Sequence, residues 1–296
     1  MKNILIIGAN GFTGRRILND LSVNPIYHVT GCSLRDDICP GKDYRFVRTD
    51  IRDENEVRKL FKECRPDIVI NTSALSVPDY CETHHAEAEA TNVTAVETIA
   101  HVCEQYGSRF IHLSTDFVFD GKSTRLYKEE DEAIPVNYYG VTKLKAEKII
   151  ASICSNYAIV RVVVVYGKAL PGQHGNILQL VANRLRNGET IRVVSDQWRT
   201  PTFVGDISVG VEKLMFHTAN GIYHICGSEC LTIAEIAYRV ADFLKLDRSL
   251  IEPVTTEEMK EVTPRPRFSG LSIEKAKAEI EYTPRTLEEG MEASLF

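Results

Sequence analysis

No apolar run in the 296-residue chain approaches the ~20 residues that a membrane-spanning helix needs, and its first residues enter an apolar strand without a signal-peptide layout. A soluble, cytoplasmic protein is the expectation. The eight cysteines (32, 39, 64, 81, 103, 154, 226 and 230) form no CxxC pair and fall mostly in apolar segments, so they read as reduced thiols. Cys226 and Cys230 lie close together, but no second pair or histidine cluster completes a metal site, and no metal is expected. Positive charge is not in excess: 35 Lys and Arg face 41 Asp and Glu, a formal charge of -6 that argues against nucleic acid or an anionic membrane as a general partner. Internal repeats and low-complexity tracts are also missing. With 44% hydrophobic and 26% charged residues, the chain can bury a large core.

Apolar strand-like runs alternate with helical patterns through the first half. Strands are predicted at 3–8, 27–34, 45–48, 67–71, 109–114 and 158–165, with helices near 13–21, 54–64, 85–106 and 138–154. Asp53 with Glu56 has the spacing of a capping box at one helix start. This alternation argues for βαβ units and a parallel sheet. After residue 166 it weakens: Gly and Pro cluster at 167–175, a helix is predicted over 175–187, and a mixed tail carries prolines at 253, 264, 266 and 284. The expected division is a nucleotide-binding domain over 1–166 and a smaller, mainly substrate-binding α/β lobe over 167–296, some of whose segments return to the sheet.

Two motifs carry chemistry. Gly8-x-x-Gly11-x-x-Gly14 follows the apolar Ile4-Leu5-Ile6-Ile7 and precedes a helical run. Such glycines let the backbone turn tightly and approach a pyrophosphate at a helix N-terminus, the fingerprint of a Rossmann-type doubly wound sheet. Downstream, Ser114-Thr115-Asp116 ends a strand, and Tyr139 stands four residues before Lys143 at the start of a helix. Residues four apart share a helix face, so the Lys143 ammonium is expected to lower the Tyr139 pKa from its usual ~10 toward working pH, where proton transfer is most useful. Thr115 would hydrogen-bond the substrate oxygen beside Tyr139. Asp50, after the third strand, is placed to accept from an adenine amine. The second strand ends in Cys32-Ser33-Leu34-Arg35, with no carboxylate for a ribose 2′-hydroxyl. Ser33 and Arg35 suit a 2′-phosphate, which favours NADPH and leaves NADH possible; Asp36 and Asp37 follow immediately.

These residues give the chain a resemblance to the extended short-chain dehydrogenase/reductases and, along essentially its whole length, to the dTDP-4-dehydrorhamnose reductase family. The shared features are the Gly8/Gly11/Gly14 loop, Asn71-Thr72-Ser73-Ala74, Asp79 and Glu82, Asn92, Ser114 to Gly121, Tyr139 and Lys143. Further matches are Arg161 before Tyr166-Gly167, Asp196-Gln197 with Pro201-Thr202, and Arg265-Pro266-x-x-Ser269. The resemblance implies a catalytic Thr115, Tyr139 and Lys143. It implies cofactor contacts from Gly8, Asn10, Gly11, Phe12, Thr13, Gly14, Ser33, Arg35, Asp50, Ile51, Ser73, Ala74, Asn92, Tyr139 and Lys143. Ser76, Asp116, Phe117, Val164, Trp198, Arg199 and Arg265 are the expected substrate contacts, Arg265 toward a diphosphate. The implied reaction is NAD(P)H reduction of a 4-keto-6-deoxysugar carried on a nucleotide diphosphate, by a monomer or homodimer. Glu288, Glu289 and Glu292 read as a solvated helix face.

The family's pattern is broken at three positions: Phe117 stands where Tyr is usual, Val164 where Trp is usual, and Arg199 where Gly is usual. Losing the tryptophan removes a flat surface for a sugar, and Arg199 adds charge. Related 4,6-dehydratases carry an Asp-Glu pair after the threonine; here Asp116-Phe117 lacks the base for elimination. A sugar-nucleotide epimerase and a non-catalytic NADP-binding regulatory subunit are the alternatives.

Overall fold

In the computed structural model, which describes residues 1–41, 43–173 and 175–295, the first strand β1 (Lys2–Ile7) runs into the glycine turn and helix α1 (Phe12–Ser22). There follow β2 (Tyr27–Ser33), β3 (Arg45–Arg48), α2 (Glu54–Cys64), β4 (Ile68–Asn71), α3 (Pro78–Thr83), α4 (His85–Glu89), α5 (Ala95–Tyr106), β5 (Arg109–Thr115), α6 (Tyr138–Ile153) and β6 (Tyr157–Val162). The predicted helix over 85–106 is divided by a π turn at Ala90–Thr94, which widens the backbone where Asn92 points inward. At the start of α2, Asp53 accepts from the amides of Asn55 and Glu56 as expected. Glu56 completes no box: its carboxylate takes the amide of Asp50, at 2.6 Å.

Seven parallel strands form the central sheet in the order β11-β6-β5-β4-β1-β2-β3, with β11 (Gly221–His224) joining from the second half of the chain. The strand order reverses between β1 and β4, the crevice where open α/β sheets bind ligands. Their strands read as unbroken apolar runs because both faces are covered. One apolar cluster joins α1 to residues after 200, including Ile207, Val211 and Tyr223; another packs α2, α5 and α6 on the opposite face. Among the described residues no helix is long and apolar enough to cross a membrane.

The remaining elements do not all stand apart from the sheet: the helix Val204–Phe216 packs beside α1 and the helix Glu274–Ile280 against β11, while the others gather as helices and small two-stranded sheets. The full set is β7 (Val165–Tyr166), α7 (Ile177–Arg186), β8 (Ile191–Val194), β9 (Trp198–Arg199), β10 (Thr202–Phe203), α8 (Val204–Phe216), β12 (Leu231–Thr232), α9 (Ile233–Leu244), β13 (Ile251–Val254), α10 (Thr256–Met259), α11 (Glu274–Ile280) and α12 (Leu287–Leu295). A third apolar cluster, from Tyr166 to Met291, gives this region its own core. The predicted strand 158–165 breaks after Val162. Val164 sits at φ +36°, a costly conformation for a β-branched residue, held by Thr202, whose amide donates to the Val164 carbonyl at 3.1 Å.

Candidate active site

A cavity of about 710 Å³ opens at the sheet's crossover crevice. The glycine loop forms one wall and Ser33, Asp50 and Ile51 the next; Ser73, Ala74 and Ser76 line the floor, and Tyr139 and Lys143 close the far end. The loop is built for close approach. Gly8 has φ +82°, and a Cβ on it would lie 2.7 Å from the Ser73 amide nitrogen; on Gly14 a Cβ would lie 2.4 Å from the Gly8 carbonyl oxygen. Gly11 caps α1 without a side chain, and the first turn of α1 holds no acidic residue, so its amides face the cavity uncapped. An anionic pyrophosphate fits that cradle.

The expected cofactor residues divide into two groups. Gly8, Asn10, Gly11, Phe12, Thr13, Ser33, Asp50, Ile51, Ser73, Ala74, Tyr139 and Lys143 line the cavity. Gly14 is buried beneath it. Arg35 is exposed and not part of the wall. Asn10 lends its side-chain amide to the Arg35 and Asp36 carbonyls, at 3.2 and 2.9 Å, and so organises the loop after β2 rather than facing a ligand. The Asp50 carboxylate is forked by Arg52, with a closest contact of 2.7 Å. Asn92 is fully buried: it brackets the Leu75 backbone at 2.8 and 3.0 Å and donates to Thr142, so it shapes the floor and does not line it.

The reacting end is set by two elements. Thr115 ends β5, and its hydroxyl accepts from the Phe117 amide at 3.2 Å, turning the chain into a short 3-10 segment. Asn137 caps α6 by accepting from the Gly140 amide at 2.9 Å, which fixes Tyr139 and Lys143 in the first two turns. Tyr139 and Thr115 are neighbours at this end of the site, near enough for the Thr115 hydroxyl to act on the phenol's pKa, while that hydroxyl itself donates to the Asp116 carboxylate at 3.1 Å. The expected lowering of the Tyr139 pKa is not found. Burial and the Asp116 charge push it up, and only the Thr115 hydroxyl opposes them. Lys143 explains the difference: its Nζ lies 2.6 Å from the Leu113 carbonyl and 2.9 Å from His112 Nε2, turned down against the sheet. Burial lowers the Lys143 pKa to about 8, against a smaller opposing effect of Glu147.

Of the expected substrate residues, only Ser76 lines the cavity. Asp116 is buried between the Ser269 hydroxyl, Thr115 and Arg199, and burial raises its carboxyl above the usual range despite these partners. Arg199 does not present its charge to a ligand. It is 2% exposed, sits 3.6 Å from Asp116, and donates to Gln197 and to the Trp198 and Arg267 carbonyls. Its guanidinium lies over the Phe117 ring, which packs edge-on against Tyr139. Trp198 is exposed, and Val164 occupies the strained break described above. Arg265 lies between Glu261 at 3.2 Å and Asp79 at 4.0 Å.

Several residues at the site carried no sequence signal. Gln173, in the Gly/Pro-rich loop before α7, donates to the Asn10 and Gly11 carbonyls at 3.0 and 3.1 Å and walls the cavity. His112 lies under Lys143. Glu147, one turn after Lys143, forms a buried ion pair at 2.7 Å beneath Ser114 with Arg161, which does belong to the family-matching residues. A glutamine in a polar loop and a histidine in an apolar strand look ordinary until the fold places them.

A glycine cradle at the sheet crossover, together with Thr115, Tyr139 and Lys143 at its far end, defines an extended short-chain dehydrogenase/reductase. Within that class, the family described as RmlD substrate binding domain matches residues 1–295, and the chain belongs to it. It is 30% identical to a probable low-salt glycan biosynthesis reductase of Haloferax volcanii, over 97% of this chain and 95% of that one. It is 32% identical to the methionine adenosyltransferase 2 subunit beta of Xenopus laevis, over 90% of this chain and 78% of the other. Its fold superposes on dTDP-4-dehydrorhamnose reductase from Bacillus anthracis in complex with NADP, with a TM-score of 0.88 and 26% identity over 100% and 99% of the two chains.

Proposed function

We propose that the protein reduces the 4-keto group of a nucleotide-linked 6-deoxysugar with NADPH, dTDP-4-dehydrorhamnose being the leading substrate. The observation that carries the proposal is Tyr139 with Lys143 at the end of a dinucleotide-sized cavity whose other end is a glycine cradle, Thr115 standing behind the phenol. NADPH bound there supplies the hydride. Thr115 and Tyr139 receive the carbonyl oxygen, and Tyr139 gives it the proton that completes the alcohol. A phenol held above its ordinary pKa stays protonated across neutral pH, which suits a donor. Gly8 and Gly11 with the first-turn amides of α1 would hold the pyrophosphate, Ser33 with Arg35 a 2′-phosphate, and Lys143 the ribose next to the nicotinamide. The sugar nucleotide would enter over Ser76 and past Phe117, Val164 and Trp198, with Arg265 toward its diphosphate. Eight free cysteines fit a reducing compartment, and we place the enzyme in the cytoplasm.

The test is NADPH absorbance on mixing purified protein with freshly prepared dTDP-4-dehydrorhamnose, beside NADH and Tyr139→Phe. Ketone-dependent oxidation that the variant lacks is the expected result. NADPH binding without oxidation would mark a binding subunit, and bound cofactor with no net consumption an epimerase.

A further inference from the structure

His112 is fully buried in β5, between Asn71 on one side and Lys143 on the other. Its ring nitrogens have different neighbours. Asn71 Oδ1 accepts from the Ser73 amide at 3.0 Å and from the Ser73 hydroxyl at 2.6 Å, which fixes the orientation of its amide. The Asn71 Nδ2 therefore faces His112 Nδ1, at 3.1 Å, and can only donate. An imidazole that accepts at Nδ1 carries its proton on Nε2, and Nε2 lies 2.9 Å from the Lys143 nitrogen. A neutral amine there has a lone pair for that proton and still donates to the Leu113 carbonyl. An ammonium has no lone pair, so a donor would meet a donor. Exchanging the tautomer moves the same conflict to Asn71, and turning the Asn71 amide moves it to Ser73.

We propose that His112 is the positioning residue that controls the charge of Lys143. It docks the lysine as a neutral amine against the sheet and favours its protonation, by a proton from solvent, only as Nζ leaves the imidazole and turns into the cavity toward Tyr139. The other charged or titratable groups around Lys143 are Glu147 one turn later on α6, already paired with Arg161, and Tyr139 one turn earlier; Asp116 lies beyond Tyr139 and is paired with Arg199. None of them supplies an acceptor at Nε2. Burial, the larger cause, holds the imidazole pKa well below its usual value, in keeping with a neutral ring.

As a statement about Lys143 in the reductase site, the proposal rests on the function given above, but its test does not need that function. The titration of Lys143 is read from lysine 13Cε resonances of the whole protein, the signal being identified by its loss in Lys143→Met. In His112→Gln the side-chain amide can turn its oxygen to the ammonium, and the Lys143 pKa should rise by about one unit or more. His112→Asn withdraws the donor without offering that acceptor and should move it in the same direction by less. If substrate is reduced, the alkaline limb of kcat/KM moves up by the same amount. A Lys143 titration unchanged in both variants would overturn the proposal. An altered titration with no ketone reduction in the wild type would keep it and reject the reductase assignment.

Discussion

Tyr139, Arg199 and His224 each owe their properties to what burial does to a polar side chain. Tyr139 is the proposed acid, so Tyr139→Phe should lower kcat by about 10²–10⁴-fold while NADPH affinity, measured by fluorescence titration, stays within a few-fold. Arg199 compensates a buried carboxylate. Arg199→Met leaves Asp116 without its ion-pair partner and should cost about 3–5 kcal/mol in urea unfolding, while Lys at this position recovers only part because it cannot reproduce the forked contacts. His224 is wholly buried, donates from Nδ1 to the Ser272 carbonyl, and has its pKa pushed down to about 3, mainly by burial. Its folded pKa lies below the unfolded one near ~6.5. The neutral ring therefore contributes stability that is complete above the unfolded value and is lost as pH falls toward the folded one. Acid unfolding should steepen below about pH 6.5 and be milder in His224→Gln, which a denaturation series against pH would show. Equal slopes would contradict this reading.

Helix α6 and the turn after β5 depend on one close approach. A Cβ on Gly140 would sit 2.1 Å from the Phe117 carbonyl oxygen and 2.8 Å from the Pro135 Cβ, and the first of these is backbone that cannot rotate aside. Gly140→Ala should force the turn and the helix apart, destabilising the protein by about 1–3 kcal/mol and lowering kcat/KM because Thr115 and Tyr139 separate. A variant with wild-type turnover would show that their spacing is not critical. Much at this scale was legible in the sequence: α2 spans Glu54–Cys64 as its periodicity indicates, and β1, β2 and β3 follow their apolar runs. What was not legible depended on tertiary partners. Four consecutive valines, Val162 to Val165, read as uninterrupted strand, but the Thr202 side chain and backbone hold Val163 and Val164 in a break. Lys143 shares a face of α6 with Tyr139, yet its nitrogen follows His112 and Leu113, 31 and 30 residues earlier on β5. Arg199 read as a pocket charge because the residues that bury it, Asp116 and Arg267, are remote in sequence.

The whole molecule combines a parallel sheet that holds the nucleotide cavity with a lobe whose Gln173 reaches back to the glycine loop. Because that contact lies against the cradle, cofactor binding should stabilise the assembled protein: at NADPH a hundredfold above its Kd, the expected gain is about 2.7 kcal/mol, visible as a higher Tm by calorimetry. Gly11→Val, which adds a branched side chain at the uncapped start of α1, should abolish that gain. An equal rise in Tm with and without the substitution would place NADPH elsewhere. The fold class followed from the strand–helix alternation and the Gly8 loop, and most of the cavity wall from the family resemblance that the Gly8 loop and the Tyr139–Lys143 pair helped to carry. The buried networks behind Lys143 and Asp116 did not, because polar groups in a core are recognisable only once their partners are known.

The most direct test of the account is the fate of one hydrogen. The protein is mixed with dTDP-4-dehydrorhamnose and NADPH carrying deuterium at nicotinamide C4 on the transferred face, and the sugar product is examined by mass spectrometry and NMR. One deuterium at C4 of the sugar per NADPH oxidised, abolished in Tyr139→Phe, is the predicted result. A sugar that emerges unlabelled, or NADPH that binds and is never oxidised, would contradict the assignment of this site as a 4-ketosugar reductase.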